Sequence, residues 1–406
     1  ERGDSDGRGQ SWPIRYRDLA PYYDQIESFH GLRGSRDDLA HLPDGQLSEQ
    51  GEFNAPAALF KRKVEERWPE RRVIIPRTLK HSIDPIPAPL RCALQTNRVE
   101  LIPEAPASRV LLNDAGDRAV GVEYVDAQTR RLSTVSADLV LLCASSIESV
   151  RILLNSRSAR HPRGIGNGHD QLGRYVLDHN MVVAKGSTGE EYRELASSWK
   201  PRTSTPLDLS SELDFYIPDF SATLRDRSFT RGFGIQGRIS PTDWGMGVFG
   251  EMLPHRDNRV TLSDRKDAFG IPVANICLHR RENDLRMIEA QKRQVQLIAE
   301  AADLRIKMPL PRILRGILWK ALGPSVGVMH LGVAIHETGG ARMGEDAETS
   351  VTNSRNQVWG VPNLLVTDGS CFPNTGCQNP TLTIMALTAR ACELAVRGVA
   401  ANLTRG

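Results

Sequence analysis

A chain of 406 residues with 40% hydrophobic side chains has core enough for two domains or one large composite. Its 52 Lys and Arg against 49 Asp and Glu leave a net charge of only +3, without a long basic run, so neither nucleic acid nor an anionic membrane is called for as a partner. No apolar run approaches the roughly 18 residues that span a bilayer, the opening Glu1 to Gly7 is unlike a signal peptide, and the six cysteines are too few and scattered for a disulfide framework. The expectation is a soluble chain with no metal centre, the Cys371 and Cys377 pair included.

Ordered structure is expected from Trp12-Pro-Ile onward, with a helix that opens near Asp18, ends at Gly31 and turns Tyr22, Tyr23, Ile26 and Phe29 inward as core. Residues 31–91 are polar and proline-rich. They read as an excursion from the core carrying one amphipathic helix, 57–68, that Pro69 stops. The character changes at Asn97: strands over 99–102, 107–112, 119–125 and 132–135, joined by tight polar turns such as 113–117, predict a small antiparallel meander. The apolar run 137–143 then feeds a helix over 147–154, which is a buried parallel strand in an α/β unit.

The dinucleotide pattern Gly-x-Gly-x-x-Gly occurs twice, over 232–237 and 245–250. Neither copy opens a helix, and both lie in alternating segments, so they read as two strands of a hairpin and not as phosphate loops. Residues 181–280 continue the strand-like alternation, covered by a helix over 283–304 with Leu285, Ile288, Ala290, Val295, Ile298 and Ala301 inward. His179, after an Asp at a segment end, reads as a structural hydrogen-bond partner. The acid-free stretch 307–320, with Lys307, Arg312, Arg315 and Lys320, is either a solvated face or a docking surface for a redox partner.

The last sixth carries the chemistry. His336-Glu-Thr-Gly-Gly-Ala-Arg-Met-Gly344 is followed by an apolar strand 364–366 ending in Asp368-Gly369, and by Asn379-Pro-Thr381, where Asn caps and Pro enters a helix running over 382–399. These segments, in this order and spacing, together with the Trp12-Pro-Ile…Tyr22-Tyr23 phrase, closely resemble the glucose-methanol-choline (GMC) family of flavin oxidoreductases. The His and Asn pair is most similar to pyranose oxidases and bacterial glucoside 3-dehydrogenases.

The resemblance implies an α/β fold: a Rossmann-like FAD-binding domain over 92–175 and 340–406, and a mainly antiparallel substrate domain over 1–91 and 176–339. It also implies that the first strand and phosphate loop of the FAD domain are missing, to be supplied by a preceding segment or a second polypeptide. His336 becomes the catalytic base and Asn379 its partner, with cofactor contacts at Val110, Ala144, Asp368, Gly369, Asn379, Pro380 and Thr381. The implied reaction oxidises a secondary ring hydroxyl of a sugar or glycoside by hydride transfer to flavin N5. Electrons would pass on to oxygen, a quinone or cytochrome, or a small subunit, and the glucoside dehydrogenases lean toward the bacterial periplasm. Three alternatives remain open: an oxidase of a non-sugar alcohol or sterol, an inactive C-terminal subunit that needs a partner chain, and a carbohydrate-binding scaffold.

Overall fold

The computed structural model of the chain describes residues 9–79, 86–197, 199, 213–218, 228–307 and 326–403, so the basic stretch 307–320 lies outside it except for Lys307. Two hydrophobic cores organise these residues.

The first core is built on the strand His179–Thr188, which pairs antiparallel with Asp243–Glu251 on one side and with Leu304–Ile306 and Val326–Val328 on the other. Phe233–Ile239 and Phe215–Ile217 complete the six-stranded sheet. Both glycine-patterned segments are therefore strands of one hairpin, as their alternation requires, with Ile235 opposite Val248.

The helix Glu282–Ala301 covers this sheet through Met287, Ile288, Val295 and Ile298, spaced to share one face. Leu285, expected inward, is 55% exposed. Asp284 is buried in the first turn, accepting hydrogen bonds from the backbone of Arg281 and from Asn180 Nδ2, and this rotates Leu285 outward.

The proline-rich residues 31–91 are not an excursion, because the helix Ala55–Arg67 drives Ala57, Phe60 and Val64 into the same core. Asn54 caps it by accepting the Ala57 N–H at 2.8 Å, and Pro56 sits in its first turn. The apolar residues Val99, Leu101 and Ile102 form no strand and stand 42–57% exposed. They have no pairing partner, and apolar character alone cannot supply the missing ladder.

The second core lies around a parallel pair, Val140–Leu142 beside Val361–Val366, joined in register although more than 200 residues of chain separate them. The helix Ser146–Asn155 follows the first of these strands through an exposed turn. The meander Ala107–Leu112, Ala119–Val125 and Leu132–Ser136 flanks the pair.

The helix Tyr16–His30 also joins this core, through Leu19, and its Tyr23 hydroxyl meets Thr383 Oγ1 at 2.7 Å on the C-terminal helix Thr381–Leu403. The first ninety residues are thus shared between both cores. The aromatic stripe of that helix is only partly covered, with Phe29 49% exposed. Glu27 is buried instead, held by the Gln46 N–H at 2.6 Å and by Arg77. Among the described residues no helix is long and apolar enough to cross a membrane.

Candidate active site

The strand Thr338–Gly340 pairs antiparallel with Arg174–Leu177, Thr338 facing Leu177. Continuing that register by two residues sets His336 opposite His179, which begins the long strand of the six-stranded sheet. The glycines make the approach possible. Gly339 and Gly340 have φ of 76° and 95°; a Cβ on the first would run into the Tyr175 carbonyl, and one on the second would lie 2.7 Å from Val150.

The two imidazoles touch through Nδ1 atoms 2.9 Å apart, with ring planes at 87°. His179 Nε2 lies 3.2 Å from the Gly376 carbonyl. Phe249, from the neighbouring strand, packs against both rings at 5.7 and 5.8 Å. Burial, with His336 alongside, pushes the His179 imidazole down to about 3. Burial also lowers His336, opposed by the charge of Asp178. Both rings are therefore neutral near pH 7. Asp178 is wholly buried; its Oδ2 accepts the Gly332 N–H at 2.6 Å, and its Oδ1 has no protein partner among the described residues.

The loop 375–380 connects this centre to the C-terminal helix. It is pinned by Thr338 Oγ1 against Thr375 Oγ1 at 2.8 Å, by His179 at Gly376, and by Gln378 Nε2, which donates to the Tyr216 hydroxyl. Trp12 donates to Asn374 Oδ1 and stacks edgewise on Phe372, so the Trp12-Pro-Ile phrase braces the same loop from behind. Asn379 was expected to cap the helix. The helix instead starts one residue later than that cap requires, with the Pro380 carbonyl accepting the first intrahelical bond from Ile384. Asn379 and Thr381 are exposed, and Asn379 makes no side-chain hydrogen bond among the described residues, so its amide is free for a ligand.

The other expected residues divide. Ala144, with Cys143 and Ser145, forms an exposed turn at the carboxyl end of the parallel strand, where open α/β sheets bind ligands. Asp368 and Gly369 are turned to the protein itself. The Asp368 carboxylate accepts hydrogen bonds from Ser149 Oγ, Ser370 Oγ and the Ser370 N–H. A Cβ on Gly369 would lie 2.8 Å from Ser146 Oγ and 3.2 Å from the Glu337 carbonyl, so the glycine admits the His336 segment. Val110 is 3% exposed, and its N–H is taken by Ser156 Oγ at 2.8 Å. Sequence reasoning set His179 aside and missed Asp178, Phe249 and Gly376, because the pairing that brings Asp178-His179 beside His336 joins segments 157 residues apart.

A flavin fits what is present at the ring end. The 23-residue C-terminal helix leaves its first-turn N–H groups without intrahelical partners, beside the exposed Asn379 and Thr381, and such a terminus favours an electron-rich carbonyl edge. Among the described residues no glycine-rich turn joins a parallel strand to a helix.

The neutral imidazole of His336, fixed through His179 to the loop that leads into the C-terminal helix, suits proton removal from a hydroxyl, and the family match makes the protein an FAD-dependent oxidoreductase of CH–OH groups. Models of the GMC oxidoreductase family match residues 14–181 with its N-terminal part and 254–388 with its C-terminal part, and the chain belongs to this family. It is 28% identical to 2-methyl-1,2-propanediol dehydrogenase of Mycolicibacterium austroafricanum, across 94% of this chain and 73% of that protein. It is 26% identical to C-glycoside 3-oxidase of Arthrobacter globiformis, across 75% of this chain and 54% of that protein. A formate oxidase of Aspergillus oryzae, whose structure concerns modification of its FAD, shares the fold at a TM-score of 0.65 with 15% identity, covering 96% of this chain and 79% of that one.

Proposed function

We propose that the protein oxidises a ring hydroxyl of a sugar or glycoside to a ketone, with His336 as the base and Asn379 orienting the reacting oxygen. The observation that carries this reading is a neutral, half-buried His336 whose Nδ1 is engaged by His179 while its Nε2 has no protein partner among the described residues. FAD, when bound, accepts the hydride from the carbon. His336 takes the hydroxyl proton at Nε2, and the resulting imidazolium lies within the field of buried Asp178. Asn379 offers an amide N–H to the same oxygen, which fixes the C–H bond that faces the cofactor. The first-turn N–H groups of the helix Thr381–Leu403, with Pro380 shaping its entry and Thr381 at its edge, stabilise charge at the ring. Ala144, in the exposed turn at the strand end, would border the cofactor. At Val110 a contact falls to atoms other than the N–H, and Asp368 and Gly369 hold the turn beneath.

In this reading residues 92–175 and 340–406 serve the cofactor, and residues 1–91 and 176–339 mainly wall the substrate. The pyrophosphate cradle comes from a segment or partner beyond the described residues. A non-sugar alcohol is the second reading, favoured by the diol dehydrogenase relative that matches across nearly the whole chain. Anaerobic stopped-flow reduction of the flavin by a panel of glycosides, free sugars and small diols tests both. Reduction by the diols alone would exclude the sugar reading, and no reduction by any alcohol would exclude both.

A further inference from the structure

We infer that His179 is a positioning residue which, by accepting the Nδ1–H of His336, leaves Nε2 of His336 as the basic nitrogen. The inference rests on the reading of His336 as the base. The directions of the two hydrogen bonds follow from one fact: the Gly376 carbonyl can only accept. His179 Nε2, 3.2 Å away, must therefore carry a proton. A neutral His179 then has a bare Nδ1, and the contact of 2.9 Å to His336 Nδ1 requires the proton to sit on His336. A neutral His336 with its proton on Nδ1 has its lone pair on Nε2.

The charge needed for the alternative is opposed by burial, since His179 is 1% exposed and its pKa is pushed down to about 3. When His336 takes up a proton at Nε2, its Nδ1–H keeps the same partner, so nothing rearranges as the charge forms. The chargeable groups around the pair are Asp178 beside His179, Glu337 beside His336, Glu251 opposite His179 in register with Arg231 alongside, and Arg280 near Asp178. Asp178 is the one whose charge acts on His336, and it favours the imidazolium. Phe249 against both rings restrains them from rotating.

Two measurements on the flavin-loaded protein test this. In long-range 15N spectra of the histidine rings, assigned with His336→Gln and His179→Asn, His336 should show a protonated Nδ1 and bare Nε2, and His179 the reverse. The opposite pattern would overturn the inference. In stopped-flow reduction, His179→Leu removes the acceptor and should slow the limiting rate by roughly 10–100-fold, the range for losing a partner that fixes an imidazole tautomer, with the apparent substrate affinity nearly unchanged. His179→Asn places an amide oxygen near the position of Nδ1 and should restore most of the rate. If His179→Asn falls as far as His179→Leu, or if His179→Leu is as fast as wild type, His179 has no positioning role. His336→Gln separates the two readings: a fast His336→Gln enzyme overturns the base assignment itself, whereas a slow one beside a fast His179→Leu overturns only this inference.

Discussion

At the scale of residues, His336 has to be neutral to take a proton. Its pKa is lowered from the ordinary 6.5 by burial, so the acid limb of flavin reduction should lie below pH 6.5. In the complete, flavin-loaded enzyme, with the phosphate-loop segment or partner present, His336→Ala should slow the step by about 10²–10⁴, the range for losing a general base, and abolish that limb while leaving flavin bound. The measurement is anaerobic stopped-flow reduction across pH. The exposed His330, outside this centre, serves as the control, and His330→Ala should reduce flavin at the wild-type rate. His179 has a separate consequence for stability. Above pH 6.5 it is neutral both folded and unfolded and has no effect. Below 6.5 the unfolded chain takes up a proton that the folded one resists, so stability falls as the pH drops toward about 3 and this contribution levels off beneath that. Urea midpoints at pH 7 and pH 5 should differ more in wild type than in His179→Asn.

At the scale of elements, the site depends on how closely the strand Thr338–Gly340 approaches Arg174–Leu177 and the turn at Asp368-Gly369-Ser370. Gly339→Ala places a side chain on a left-handed residue and against the Tyr175 carbonyl, a backbone atom that cannot swing aside. The expected loss is about 1–3 kcal/mol from backbone strain, with the clash in addition. Thermal or urea unfolding measures it, and an unchanged midpoint would contradict the packing described. Much at this scale was legible. The hairpin at 233–251, the meander at 107–136, and the strand and helix at 140–155 follow from alternation, turn residues and a run too apolar to face water. Burial was less legible. Leu285 and Phe29 point outward because polar partners of Asp284 and Glu27 turned their helices, and such partners come from distant chain.

At the scale of the molecule, residues 1–406 alone should not retain stoichiometric FAD through desalting. The ring-end helix terminus is present, but among the described residues no glycine-rich strand-to-helix turn supplies the N–H groups that hold a pyrophosphate. A visible flavin spectrum at one equivalent after desalting would refute this. The sequence by itself determined the family motifs, the identities of His336 and Asn379, and the α/β character, because these rest on local spacing and on the periods of strand and helix. The tertiary structure decided which groups those motifs meet. Parallel pairing of Val140–Leu142 with Val361–Val366 and antiparallel pairing of Arg174–Leu177 with Thr338–Gly340 join segments far apart in the chain. Only that register turns a histidine at a strand end into the partner of His336 and commits Asp368 to Ser149 and Ser370. Hydrogen-bond direction and burial are properties of neighbours in space, and no local pattern in the sequence specifies them.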